Sequence, residues 1–113
     1  MKLPNRSRVE ISRRKVTGYL LAAAHPVGGA KARYFESRGY SLEAPEGLED
    51  ALRRVALEGE VMGEEATEWG TKYVVEATIT APDGNQIALA TVWIGGDSGV
   101  PVLVTAYPIT RKP

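Results

Sequence analysis

The chain of 113 residues contains no cysteine, so disulfides, thiol nucleophiles and thiolate metal ligands are all excluded. It has one histidine, His25, and a structural zinc site ordinarily needs four Cys or His ligands. We therefore expect no metal and no cofactor. No apolar run approaches the ~20 residues that span a bilayer. The first residues, MKLPNRSRVE, form no apolar signal core. The expectation is a cytoplasmic protein with no membrane association. Asn and Gln together number only three, while Arg, Glu and Pro are plentiful, a thermophile-like composition. Neither a phosphate-cradling P-loop nor a nucleophile elbow nor a metal-binding His–Glu helix is present.

What is present suits one domain over residues 1–113, with a helical part at 1–58 and a sheet part at 59–113. Ser12 is a good N-cap for a helix through RRKVTGYLLAAA, with Val16, Tyr19, Leu20 and Ala23 on one face. Gly18 weakens that helix, and Pro26 ends it near Ala24. A second helix starts at Gly28–Gly29 and runs to Arg38, turning Ala30, Tyr34 and Phe35 inward. Gly39 is its C-cap, followed by Tyr40. A third helix lies between Pro45 and Gly59. Its apolar face is Leu48, Leu52, Val55 and Ala56. Glu49, Asp50, Arg53 and Arg54 on its polar face are spaced to pair at i, i+4. The period then becomes two. Four strands follow: VMGEEATEW, TKYVVEATIT, IALATVWIG and VPVLVTAYPI. The third, apolar on both faces, belongs in the sheet's centre, and the prolines of the fourth suit an edge. The fold class is α+β: about three N-terminal helices packed on a four-stranded antiparallel β-meander in two layers.

The net charge of zero hides a segregation. Residues 1–38 carry nine basic and two acidic groups, and residues 39–76 carry three basic and ten acidic ones. Oppositely charged solvated faces would explain this, and so would a basic face for a phosphate-bearing partner. Within the basic part, AAAHPVGGAKARYF combines a helix start with His25, Gly28, Gly29, Lys31 and Arg33. Free N–H groups and close backbone approach suit an anion there, and Lys31 and Arg33 add charge. His25 can exchange a proton near neutral pH. The same residues also suit a plain break between two helices. In the last strand Thr105 and Tyr107, two apart, share a face, and Leu103 belongs with them by alternation. Glu64, Glu65 and Glu68 form an acidic patch before Trp69; they either solvate an edge or supply a carboxylate base.

The KLPN opening, HPVGGAKARYF, RGY, GTKYVV, ATVWI and LVTAYPI resemble a bacterial domain family of unknown function. Its pattern spans nearly the whole chain. More distantly, helices before a four-stranded antiparallel sheet, a G--KA--F helix start and a VTAYP last strand resemble the barnase–EndoU–colicin–RelE (BECR) group of small ribonuclease and toxin domains. That resemblance implies metal-independent RNA cleavage through the 2′-hydroxyl. Carried over, His25 is the acid or base, Gly28, Gly29, Lys31 and Arg33 hold the phosphate, and Thr105 and Tyr107 line the site. A single histidine departs from a two-histidine ribonuclease, so the second proton carrier would be Tyr107, Lys31 or a glutamate. The balanced charge also departs from a strongly basic nuclease. The partners to weigh are thus RNA or another phosphate-bearing ligand, and, for a non-catalytic interaction module, a protein partner or a second copy of the chain.

Overall fold

A computed structural model describes residues 1–21, 29–95 and 99–109. A 3₁₀ turn at Arg6–Arg8 precedes α1 (Arg13–Lys15). The Ser12 hydroxyl accepts from the Lys15 N–H at 3.4 Å, the expected cap. The helix then widens into a π turn at Val16–Leu20, closed by the Leu21 N–H donating to the Val16 carbonyl at 2.8 Å. The expected helix beyond residue 21 lies outside the described residues. α2 (Gly29–Ser37) and α3 (Glu46–Glu58) follow. Gly39 ends α2 at φ 98°, a conformation that favours glycine, and the Tyr40 N–H returns to the Phe35 carbonyl at 3.1 Å. A Cβ on Gly39 would also sit 2.8 Å from that of Pro82.

The four strands β1 (Glu60–Thr67), β2 (Gly70–Thr80), β3 (Gln86–Gly95) and β4 (Pro101–Pro108) form one antiparallel sheet in the order β1-β2-β3-β4. As the sequence suggests, β3 is internal and β4 is at an edge. α3 buries Leu48, Ala51, Leu52, Val55 and Ala56, and α2 buries Ala32 and Phe35. Ala30, expected inward, is exposed instead. The helix begins at the buried Gly29, and Ala32 and Phe35, three apart, then share its inner stripe. These side chains meet Val75, Ile79, Ile87, Leu89, Trp93, Leu103 and Ala106 on one sheet face. The polar face of α3 pairs differently from the expectation. Glu49 is taken by Arg13, Arg53 donates to the Val9 carbonyl, and Arg54 meets Glu58.

The second sheet face lies outside this cluster, although Ala90 and Val92 on it are buried. It bears Val74, Glu76, Ala90, Val92, Thr105 and Tyr107, which alternate with the core residues. A β-bulge in β4 opposite Val92 and Trp93 resets the alternation: Leu103 pairs with Trp93 in the core, and Thr105 pairs with Val92 on the second face. Leu103 therefore does not share a face with Thr105 and Tyr107, because the extra residue, Val104, intervenes.

Residues 1–10 run from one edge of the sheet to the other. The Met1 carbonyl accepts from the Val61 N–H on β1. Glu10 pairs with β4, through its N–H to Pro101 and its carbonyl from Leu103, both at 2.9 Å. Lys2 and the Met1 amine hold Glu60 at 2.9 and 3.0 Å.

Hydrogen bonds from Lys2 and from the amino terminus hold the Glu60 carboxyl below its ordinary pKa. The backbone N–H and then the side chain of Asn85 do the same for Asp83, with help from Arg38, and the Ser41 hydroxyl does so for Glu43. A carboxylate with a depressed native pKa adds stability above its unfolded value, near 4, and loses it as pH falls through the native one. The melting temperature is expected to stay level from about pH 7 to 5 and to fall below about pH 4. Glu60→Gln with Asp83→Asn should shrink that fall; a transition centred near pH 6 would contradict it.

Candidate functional site

The first turn of α2 presents Lys31 while the Ala32 and Phe35 positions anchor the helix in the core. The Lys31 ammonium passes the β4 edge to the second face. It donates to the Thr105 hydroxyl at 3.0 Å and to the Tyr19 hydroxyl at 3.4 Å. It also lies 5.2 Å from the centre of the Tyr19 ring and 5.9 Å from that of Tyr107. An ammonium over tyrosine faces is attracted by the ring quadrupole, by roughly 0.5–2 kcal/mol. Such contacts position the cation without neutralising it. Among the described residues no carboxylate forms an ion pair with Lys31. A half-buried ammonium held this way offers its charge to an incoming anion.

Cross-strand register then extends the site. Tyr107 is opposite Ala90, and Ala90 is opposite Glu76, so the three form one row across the second face. Two strand spacings separate Tyr107 and Glu76 at Cα by about 10 Å. Ala90, between them, is fully buried and Val92 nearly so. Tyr107 stays 38% exposed. The row therefore has an ammonium and a phenol at one end and a carboxylate at the other.

The sequence-predicted residues divide as follows. Lys31, Thr105 and Tyr107 converge. Gly29 is buried at the α2 start. Arg33, two positions after Lys31, is about 200° round the helix and exposed, away from Thr105. His25 and Gly28 lie outside the described residues. Glu64, Glu65 and Glu68 are on β1 and its turn into β2, at the other edge of the sheet, where Glu65 reaches Lys72 at 4.0 Å. Tyr19 and Glu76 were not anticipated as site residues. Glu76 had one visible signal, an acid inside the apolar run YVVEATI. Tyr19, which shares a helix face with Val16 and Leu20, packs on the core while its ring lies 5.2 Å from the Lys31 ammonium.

No group of three or more acidic or histidine side chains that could hold a metal occurs among the described residues, and no helix there is long and apolar enough to cross a membrane. The chain is thus an α+β domain whose helix-backed sheet carries, at the edge of its other face, a lysine that meets no carboxylate among the described residues. Over residues 2–110 it matches the model of a domain of unknown function, DUF6883, and it belongs to that family. No protein of curated function matches its sequence. Among solved structures it is similar to a chain of a contact-dependent growth inhibition toxin–immunity protein complex from Klebsiella pneumoniae 342. The TM-score is 0.73 at 11% identity, over 95% of this chain and 98% of that one. At such identity the likeness establishes a shared fold.

Proposed function

We propose that this domain is a toxin-type ribonuclease that cleaves RNA without a metal ion on the second face of its sheet. The carrying observation is the Lys31 ammonium, fixed by Thr105, Tyr19 and Tyr107 and met by no described carboxylate. In this reading Lys31 binds a non-bridging phosphate oxygen and stabilises the charge that grows there. Glu76 takes the proton of the 2′-hydroxyl as that oxygen attacks phosphorus. The bond to the 5′-oxygen breaks, and that oxygen receives a proton from Tyr107 or His25. The products are a 2′,3′-cyclic phosphate and a 5′-hydroxyl. The neighbour's place in a toxin–immunity complex and the BECR resemblance both support a toxin-type reading. Purified protein incubated with total RNA in EDTA should generate cyclic-phosphate ends. RNA left intact, with overexpression harmless to growth, would overturn the proposal.

A second reading is a non-catalytic interaction module. Met62 and Trp69, 62% and 71% exposed along the acidic β1 edge, favour it. If RNA stays intact and the protein is a dimer that Trp69→Ala dissociates, this reading replaces the first.

A further inference from the structure

We propose that the groove beside the π turn is a second phosphate subsite, which makes single-stranded RNA the substrate class; this rests on the ribonuclease reading above. The groove, a cavity of about 250 Å³, is lined by Ser12, Arg14, Lys15, Gly18 and Tyr19. The Lys15 ammonium lies 5.6 Å from the centre of the Tyr19 ring that Lys31 approaches to 5.2 Å. One tyrosine therefore carries two cations, no more than about 11 Å apart. Arg13, their neighbour, is matched by Glu49. Arg14, Lys15 and Lys31 form no ion pair among the described residues. Two like charges gathered on one ring repel each other, and a bridging polyanion removes that repulsion.

Gly18 is an independent sign. It lies exposed within the π turn, outside the left-handed region, and a Cβ there would meet only the Arg14 Cγ, at 3.9 Å. Neither packing nor backbone conformation requires glycine, which weakens a helix relative to alanine. A side chain at this position would project into the groove, so glycine keeps the groove open.

A strand laid with one phosphate on Lys31 reaches Lys15 and Arg14 with the next, passing the Tyr19 ring between them. Cations strung along one narrow path suit a flexible, continuous backbone that can bend from one to the next, which a single strand supplies and a duplex does not. The path leads from the row Tyr107–Ala90–Glu76 over the β4 edge to the π turn.

The test uses a fluorescein-labelled 2′-O-methyl oligouridylate of about ten nucleotides, which fits one such platform and has no free 2′-nucleophile. Anisotropy should show salt-dependent binding, tighter than for its duplex. Lys15→Ala should lower the slope of log K against log salt by about 0.7, and the loss of Arg14 should add to this. Gly18→Leu should weaken binding several-fold without lowering the melting temperature. Arg6→Ala, off the path, should leave the slope unchanged. The subsite is overturned if Lys15→Ala and Arg6→Ala act alike, if duplex binds as well as single strand, or if the oligonucleotide does not bind. RNA cleavage in EDTA insensitive to Lys15→Ala would sink the subsite and leave the nuclease. Lys15-dependent binding without cleavage would do the reverse.

Discussion

Replacing Lys31 with alanine is expected to slow RNA cleavage in EDTA by at least about 100-fold, the loss typical of removing one preorganised charge from a transition state. The fold should survive. Lys31 contributes hydroxyl contacts and ring contacts at the β4 edge and belongs to no part of the buried cluster. Lys31→Arg should recover only part of the rate. A planar guanidinium replaces a compact ammonium that now sits between two rings and a hydroxyl. Thr105→Val should produce an intermediate loss by releasing the lysine from its 3.0 Å hydrogen bond. The measurement is a single-turnover rate beside a circular-dichroism melt. An unchanged rate for Lys31→Ala in a folded protein would remove the site from this face.

The largest effect on stability is expected at Trp93. It is fully buried, and its indole N–H donates to the Thr91 hydroxyl at 2.7 Å. That hydroxyl donates in turn to the Val75 carbonyl at 3.1 Å. Trp93→Ala should cost about 3–5 kcal/mol, from lost burial and the cavity left behind. A native domain is stable by only 5–15 kcal/mol, so this is a large share. Thr91→Val keeps the volume and strands the indole N–H, and should cost about 1–3 kcal/mol. Urea midpoints at constant slope check both values. If Thr91→Val proved neutral, the hydroxyl relay would have no energetic role.

The elements that the sequence made legible are those whose signal is local. Leu48, Leu52, Val55 and Ala56 repeat with the helical period, and the burial of α3 follows that repeat. Apolar residues on both faces of IALATVWIG placed β3 inside the sheet correctly. Features created by inserting one residue into a regular element were invisible. The bulge at Val104 moves Leu103 to the core face, and the π turn at Val16–Leu20 interrupts an otherwise helical pattern. Both are backbone choices that side-chain periodicity does not encode. For the candidate site, Lys31, Thr105 and Tyr107 could be named from residue type and resemblance. Their contact depends on a helix passing a sheet edge. Glu76 enters only through the register Tyr107–Ala90–Glu76, a relation among three strands that spacing along the chain cannot express.

The strap formed by residues 1–10 has a temporal meaning. Glu10 completes its pairing only with Leu103, and Lys31 finds its hydroxyl only at Thr105. A chain leaving the ribosome has made the first member of each pair long before the second. Until β4 arrives there is no edge for the strap, no row opposite Ala90 and no hydroxyl for the lysine. An unfinished chain therefore holds every basic residue of the candidate site but lacks Thr105 and Tyr107, which complete it. The ribonuclease activity proposed above would therefore begin only once the last strand closes the sheet.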